Sequence, residues 1–382
     1  MSAVKTLLYF FLAISFAACN SGQATVDQPQ EPQVYRVPYD TVSDDIASFI
    51  AGQPHGSSGC LPVLDTASSW KSYSVWMDSG YNDLDTGRFS KMKAWADNEL
   101  VDRYGTTTVF YPFGGPDFLN ANIFYPNADS YILIGLEPVG LLPELCSMST
   151  EQVDKYLNDV SYSLKDIFKR SYFITGNMID ALKKSSVNGT LPVIALFIKW
   201  NGYNIVSIRD IGIDSTGTWQ YSDSLKTTKG IAKGIKVDFA ADTGRKVQSV
   251  FYFQTDISDA GLKNNPGFRK YLASLPECYT YLKAASYLMH GYEFSMIRNT
   301  VFEKSKTILQ DDSGIAYSLF DKSLWNIQLY GRYQRPGSEF SWINETDLAE
   351  AYKDPSVKPV PFTLGYNWRT QAINMLYAVK KQ

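Results

Sequence analysis

The chain has 382 residues, of which 45% are hydrophobic and 14% are aromatic, and its formal net charge at pH 7 is −3. This composition is typical of a well-buried globular protein, and the slight acidic excess argues against nucleic acid as a partner. The chain has only two histidines and no dinucleotide fingerprint, phosphate-binding glycine loop or haem motif. We therefore predict neither a metal site nor a cofactor.

The first 38 residues have the composition of an export signal followed by a spacer. Residues 1–18 carry one lysine and then an apolar run that is too short to span a bilayer as a permanent helix, which is typical of a signal peptide. Cys19 follows two alanines, so we predict a signal of the lipoprotein type in which Cys19 is lipidated. Residues 19–38 are rich in Gln, Pro, Ser and Asp and are predicted to form a flexible tether. The alternative is an ordinary signal peptide cleaved near Ala18.

A lipid on Cys19 predicts a bacterial cell-envelope lipoprotein, held at the outer membrane and facing the periplasm or the exterior. The membrane surface would then be one partner of the protein. Residues 39–382 contain no clear linker and are predicted to form a single large globular body. Apolar and aromatic residues at three- and four-residue spacing predict helices through most of residues 40–104.

A β-α-β passage follows this helical segment. Residues 106–113 and 130–136 are rich in β-branched and aromatic residues and predict strands, with a short helix at 118–124 between them. Asp117 and Glu137 come just after the two strands, where open α/β sheets commonly place functional groups. The alternative roles are structural, with Asp117 capping the short helix and Glu137 ordering a turn.

The middle of the chain predicts one long helix and then a meander. Ser149 opens a capping box for a helix that ends near Tyr172. Residues 191–200 and 203–213 are predicted to be strands joined by a hairpin at the Asn-Gly pair between them. Further strands are predicted at 218–221, 235–240 and 246–253. The sequence therefore predicts an α+β fold, with a central antiparallel sheet or meander, the β-α-β element and flanking helices.

The segment 281–315 concentrates ionisable residues. The spacing of its apolar residues predicts a helix over 281–292, with Lys283 and His290 on its polar side, and a second helix capped by Ser295. On this interpretation His290 is most simply a partly buried residue that is hydrogen-bonded to a neighbour, and the alternative is a catalytic or ligand-binding role.

The second helix is followed by Asp311-Asp312-Ser313-Gly314, which predicts a solvated turn. Beyond the turn, residues 315–320 and 325–330 are predicted to be strands, and residues 344–352 a helix. Asp311 and Asp312, with Asp256 as a further candidate, could alternatively bind Ca²⁺ or Mg²⁺ through oxygen, but a turn that ends a helix is the simpler interpretation.

Several short motifs carry a resemblance. The segments AASYLMH, FSMIRN and ILQDDSGI, followed by LYGRY and GYNWR, resemble a family of uncharacterised bacterial exported proteins and lipoproteins, from about residue 111 to residue 369. The resemblance implies export but no activity, because no function is assigned to that family.

Three cysteines remain after Cys19. Cys60, Cys146 and Cys278 lie far apart in the sequence, which fits neither a zinc knuckle nor a Cys-x-x-Cys redox pair. An odd number allows at most one disulfide and leaves a spare thiol, and the sequence does not decide which two would pair.

The candidate site residues do not define an activity by themselves. They are His290, Asp311, Asp312, Asp117 and Glu137, with Asp256 as a further acid. A Ser/His/Asp hydrolase is disfavoured because no Gly-x-Ser-x-Gly elbow is present. We expect a small-molecule or protein ligand to bind in an aromatic-lined cleft. The alternative is a carboxylate-dependent hydrolase acting on carbohydrate or ester substrates, which requires two carboxyl groups in one concave pocket.

Overall fold

The computed structural model describes residues 37–105, 107–172, 186–224, 231–336, 340–366 and 372–382. The predicted signal peptide, Cys19 and nearly all of the predicted tether lie outside the described residues. The residues from Val37 onward belong to one compact unit. None of the described helices combines the length and the apolarity needed to cross a membrane.

The described helices lie on both sides of a single sheet. They are α1 (Thr41–Ile50), α2 (Leu61–Leu64), α3 (Ser68–Leu84), which continues through a π-helical turn (Asp85–Phe89) into α4 (Ser90–Glu99), α5 (Phe118–Phe124), α6 (Thr150–Arg170), α7 (Leu191–Trp200), α8 (Asp259–Asn264), α9 (Pro266–Ala273), α10 (Ser295–Lys304) and α11 (Thr346–Ala351).

Ten strands of the described chain form that sheet. They are β1 (Thr108–Tyr111), β2 (Ser130–Gly135), β3 (Tyr203–Ile213), β4 (Trp219–Tyr221), β5 (Ala232–Ala241), β6 (Gln248–Gln254), β7 (Cys278–Leu282), β8 (Ser305–Gln310), β9 (Trp325–Gly331) and β10 (Asn374–Lys380). The spatial order is β4-β3-β5-β6-β2-β1-β7-β8-β10-β9. The predicted α+β class is confirmed, with a mixed sheet.

The predicted antiparallel meander is real, but it does not lie at the centre of the sheet. Strands β3 to β6 form the meander through antiparallel pairs and make up one side. The centre consists of β6, β2, β1, β7 and β8, and every neighbouring pair among these five is parallel. Strands β9 and β10 add antiparallel pairs at the other side. Parallel pairing between distant segments leaves no turn signal in the sequence, which is why the centre was not predicted.

The core has a part on each face of the sheet because successive strand residues point to opposite faces. In β1, Val109 and Tyr111 pack among the buried residues of α1 to α7, whereas Phe110 packs with those of α8 to α11. The central strands are therefore buried on both sides, and their side chains are apolar in nearly continuous runs.

Residues 191–200, predicted as a strand, form helix α7. Every residue of this segment is buried, so its apolar run has no periodicity that could separate a buried helix from a buried strand. Pro192 lies in the first turn, where its missing N–H is not needed. Asn201 and Gly202 end the helix instead of making a hairpin, and Gly202 takes a positive φ of 79°.

The helix predicted over 281–292 is also wrong. Residues up to Leu282 belong to the buried strand β7, and Ala284, Ser286 and Tyr287 have positive φ values that no α-helix allows. The apolar residues at helical spacing were buried strand and loop residues. Ser295 is the first residue of α10 instead of its cap, and residues 305–310, predicted as part of that helix, form β8.

Other predicted elements divide into confirmed and wrong ones. The β-α-β passage, the helix opened by the Ser149 capping box, the strand at 325–330 and the helix near residues 346–351 are confirmed. Residues 315–320 do not form a strand in the structure and contain a 3₁₀ turn, Tyr317–Leu319. A disulfide joins Cys60 to Cys146 with a Cα–Cα distance of 5.4 Å, and Cys278 is a buried free thiol.

Candidate ligand-binding cleft

A cleft of about 160 Å³ opens at the carboxyl ends of the parallel strands. From β1 the chain moves to β2 and later to β6 on one side of the sheet, and then crosses over to β7 and β8 on the other side. The connections that leave β1 and β7 at their carboxyl ends therefore diverge to opposite faces of the sheet. Open α/β sheets bind ligands in the crevice at such a topological switch point. The cleft lies at this point, since residues following β1, β2, β6 and β7 all line it.

Each of the five parallel strands is followed closely by an ionisable residue. The residues are Asp117 after β1, Glu137 after β2, Asp256 after β6, Lys283 after β7 and Asp311 after β8. The first four line the cleft. Because carboxyl ends of parallel strands meet at one edge, these side chains converge although they are far apart in the sequence.

Asp117 and Lys283 form a buried ion pair across the switch point. Lys283 Nζ lies 2.6 Å from Asp117 Oδ2, and the two side chains are only 1% and 3% exposed. Lys283 also donates to the backbone carbonyl of Ser171. Burial lowers the pKa of Lys283, and the Asp117 carboxylate opposes this shift by stabilising the charged amine.

Asp117 uses both carboxylate oxygens within the protein. Oδ1 accepts from the backbone N–H and the side-chain amide of Asn120, so Asp117 caps α5 as its structural interpretation predicted. Oδ2 accepts from the Tyr111 hydroxyl at 3.1 Å in addition to Lys283. A carboxylate with four donors is a poor nucleophile or base, and its role is to hold Lys283 in the cleft wall.

Glu137 is the buried carboxyl group of the cleft that has the fewest strong partners. Glu137 is only 3% exposed. The Tyr252 hydroxyl donates to the backbone carbonyl of Glu137 at 2.7 Å and lies 3.5 Å from the carboxyl oxygen Oε2. Burial raises the pKa of Glu137, and backbone amides and the Tyr252 hydroxyl only partly offset the effect. Glu137 is therefore poised to gain hydrogen-bond donors from a ligand, or to hold a proton.

Asp256 is the exposed carboxylate at the cleft mouth. The last register pair between β2 and β6 is Gly135 with Gln254, and Glu137 and Asp256 each lie two residues beyond it. Ser258 donates to Asp256 through its backbone N–H at 2.8 Å and its hydroxyl at 3.0 Å. The neighbouring strands thus bring one buried and one exposed carboxyl group to the same side of the cleft.

A strained loop after β7 forms another part of the wall. Ala284, Ser286 and Tyr287 have φ values of 51°, 54° and 56°, and each such non-glycine residue costs about 1 kcal/mol or more. The turn after β8 holds this loop in place, because Ala284 N–H donates to Asp311 Oδ2 at 3.0 Å and Ala285 N–H donates to Ser313 Oγ at 2.7 Å. Strain of this kind concentrates at ligand sites, where the surrounding structure can over-determine it.

Aromatic rings line the cleft and continue beyond it. Tyr111, Phe113, Tyr172 and Phe294 belong to the lining, and Phe113 packs against Phe294 with ring centroids 6.0 Å apart. From Tyr172 a run of ring contacts of 4.8–5.5 Å passes through Tyr366 and Phe340 to the exposed Trp342. Aromatic rings thus form part of the lining of this cleft, and binding of a ligand there stays a prediction.

The other predicted candidates lie outside the cleft lining. Asp311 supports the strained loop from behind. Asp312 is buried against Tyr287, whose hydroxyl donates to it at 2.5 Å, and against Asn374, whose amide donates at 3.0 Å. The Asp-Asp-Ser-Gly turn is therefore not solvated, as Asp311 and Asp312 are 3% and 5% exposed.

Asp312, Glu345 and His290 form what we call the carboxyl cluster. Burial first, and then the Asp311 charge, raises the pKa of Asp312 to about 7. Burial and the Asp312 charge raise the pKa of Glu345 to about 8, and burial lowers the pKa of His290 to about 4. His290 Nε2 is 3.8 Å from Glu345 Oε1 and has no hydrogen-bond partner among the described residues.

Sequence reasoning did not assign Lys283 or Glu345 to a site. Lys283 was placed on a helix, although a mostly apolar run, Cys278–Leu282, precedes this charge, just as residues 131–136 precede Glu137. That repeated pattern is the signal that could have identified it. Among the described residues, no three His, Cys, Asp or Glu side chains are grouped closely enough to hold a metal ion.

No family model, no curated protein and no solved structure matches this chain.

Proposed function

We propose that this protein is a lipid-anchored bacterial envelope protein that binds a small polar ligand in the cleft at the carboxyl ends of β1, β2, β6 and β7. The observation that carries the proposal is the convergence of a buried ion pair, a poorly satisfied buried carboxyl group and aromatic rings at the topological switch point. The loop over residues 284–287 supports the proposal, because its non-glycine residues with positive φ cost conformational energy. Strain of this kind is typical of ligand-binding sites and is not needed in an ordinary surface turn.

The aromatic wall offers a direct test. Phe294 lines the cleft, whereas Tyr292, two residues earlier, is 81% exposed and does not. Binding of a panel of monosaccharides, disaccharides and nucleosides would be measured by saturation-transfer NMR, and the best ligand then titrated by calorimetry. Phe294→Ala should weaken that ligand about tenfold or more, because a buried aromatic contact is lost. Tyr292→Ala should leave the affinity within about twofold. Equal losses in the two variants would contradict the proposed location.

A hydrolase is the second candidate, favoured by the pairing of Glu137 with Asp256 at the ends of neighbouring strands. Burial raises the pKa of Glu137, which suits this group to act as a general acid, and the exposed Asp256 would be the second carboxyl group of the pair. Glu137→Gln and Asp256→Asn should each lower kcat on a responsive 4-nitrophenyl glycoside or ester at least about 100-fold. The exposed Glu144→Gln is the matched control. Absence of turnover by the wild-type protein on both substrate classes would remove this candidate.

The anchor rests on the predicted lipidation of Cys19. Cys19→Ser should move the protein from the membrane fraction to the soluble fraction, or leave the precursor unprocessed, in a detergent phase-partition assay. Ser21→Ala lies beyond the predicted junction and should partition as the wild type does. An unchanged partition and gel mobility of Cys19→Ser would overturn the anchor without affecting the cleft.

A further inference from the structure

The five parallel strands stand in the order of the first five strands of a doubly wound dinucleotide-binding sheet. Strands β6, β2, β1, β7 and β8 stand in the order 3-2-1-4-5 if they are counted along the chain as the five parallel strands. In sheets of that order, the turn after the first strand approaches the ligand, and an acidic residue about 20 residues later accepts hydrogen bonds from ribose hydroxyls. Here Glu137 follows Gly115 by 22 residues and lies two residues beyond the second of these strands, β2.

The local geometry brings the Glu137 carboxyl group to the turn after β1. Gly115 has a φ of 52°, and a Cβ there would lie 3.6 Å from Glu137 Oε2. At Gly135 a Cβ would collide with the same oxygen. Two glycines thus let the carboxyl group fold back over the backbone at the base of the cleft. The Tyr252 hydroxyl and the backbone amides of Leu136 and Glu137 donate to this carboxyl group. A carboxylate accepts about four hydrogen bonds, so capacity remains for a hydroxyl of a vicinal diol.

A phosphate does not suit this turn. Asp117 stands where a phosphate would approach, and its Oδ1 already accepts the Asn120 N–H. Helix α5 has only seven residues, and the chain has no third glycine of a dinucleotide fingerprint. The part of the ligand that faces this turn therefore carries no phosphate.

The side of the cleft next to Glu137 has the features of a base site. It is formed by Leu136, which is 52% exposed, by Ile257 and by the exposed carboxylate of Asp256. A carboxylate is an acceptor only, so it favours a base that presents an amino group over one that presents a carbonyl at the same place. At the position that would face Asp256, adenine presents an amino group, whereas hypoxanthine presents a carbonyl.

We infer that the ligand of the proposed cleft is a ribonucleoside without a phosphate at the 5′ side, with its 2′,3′-diol on Glu137 and an amino-bearing base beside Asp256. This inference rests on the proposed binding function and adds the class of ligand. A vicinal diol could also come from a free sugar, so the experiment must separate the two sources.

The test is calorimetric titration of the mature protein with adenosine, 2′-deoxyadenosine, inosine, adenosine 5′-monophosphate and ribose. Adenosine should bind, and 2′-deoxyadenosine should bind about 10- to 100-fold more weakly, because a hydrogen bond to a charged group is lost. Inosine should be weaker than adenosine, and the 5′-monophosphate should bind no more tightly. The wild-type comparison needs no variant and so does not depend on a mutant's folding.

Variants then assign the residues. Glu137→Gln should reduce the ratio of the affinities for adenosine and 2′-deoxyadenosine to less than about threefold. Asp256→Asn should reduce the ratio of the affinities for adenosine and inosine to less than about threefold. Glu144→Gln should change neither ratio. Binding of ribose or another sugar with equal or greater affinity than adenosine would overturn the nucleoside inference while leaving the cleft proposal intact. If neither nucleosides nor any sugar of the broader panel bind, both the nucleoside inference and the proposal that the cleft binds a ligand fail.

Discussion

Two buried groups of ionisable side chains lie on either side of the loop after β7, and they handle charge in opposite ways. In the cleft, Lys283 and Asp117 are in contact, and each charge has the other as a partner. In the carboxyl cluster, Asp312 and Glu345 lie near each other and near Asp311, so like charges add to the effect of burial. His290 is the basic group of this cluster, and burial opposes its protonation, as does the neighbouring charge of Arg298.

The difference shows why equal burial does not have equal consequences. In the cleft pair, the Asp117 carboxylate opposes the effect of burial on the pKa of Lys283. In the cluster, a neighbouring like charge adds to the effect of burial and favours the neutral, protonated form of the carboxyl groups. The cleft pair is therefore sensitive to loss of a partner, and the cluster is sensitive to pH. The predictions below test this contrast.

The largest effect is expected from Lys283→Met. This change leaves Asp117 buried without its cation, so the free energy of unfolding should fall by about 3–5 kcal/mol in urea denaturation. Adding Asp117→Asn to that variant should recover part of the loss, because the isolated charge is then removed.

Lys199 gives a matched control, since it forms another buried pair with Asp44 at 2.8 Å and does not line the cleft. Lys199→Met should also destabilise the protein but should leave the affinity of the folded protein for a cleft ligand unchanged. Lys283→Met should weaken ligand binding as well. A loss below about 1 kcal/mol in Lys283→Met would contradict the described role of the pair.

The second effect is a fall in stability with rising pH. Asp312 and Glu345 have ordinary pKa values of 3.8 and 4.5, and in the folded protein these pKa values rise to about 7 and about 8. Between those values the folded state binds more protons than the unfolded chain, so the free energy of unfolding falls as pH rises.

His290 acts in the opposite direction between its folded pKa of about 4 and its ordinary pKa of 6.5, because there the unfolded chain binds the proton. The net fall should therefore be clearest from pH 6.5 to 8 and should amount to roughly 2 kcal/mol. Denaturation at half-unit pH steps would measure it. Glu345→Gln should flatten most of this slope, and the exposed Glu350→Gln on the same helix should not. Stability that rises over this interval would contradict the cluster as described.

The smallest effect is expected from His290→Ala. Its ring packs against Tyr287 and interacts with the Asp312 backbone, so the free energy of unfolding should fall by about 1 kcal/mol. Ligand affinity should not change, since His290 is not part of the cleft lining. A gain in stability, or a loss of binding without a loss of stability, would show that His290 belongs to a functional site.

Particular residues show how far sequence reasoning reached. Asp117 and Glu137 were identified because each follows a strand of one short β-α-β passage, where the spacing is local. The partnership of Asp117 with Lys283 was missed because 166 residues separate them and because the segment after β7 has apolar residues at helical spacing by coincidence. Asp311 and Asp312 were interpreted as a solvated turn because Asp and Ser favour turns wherever they occur, and burial is not visible in that preference.

By itself the sequence determined the local elements: the capped helix α6, the first β-α-β passage, the strands of the meander and the presence of candidate acids after strands. These follow from periodicity, caps and turn residues within a few positions of one another. Only the tertiary structure decided that β7 and β8 join β1 as parallel neighbours, that residues 191–200 form a helix, and that Lys283 reaches Asp117. Parallel pairing and burial on all sides depend on contacts between distant segments, and those contacts leave no local pattern in the chain.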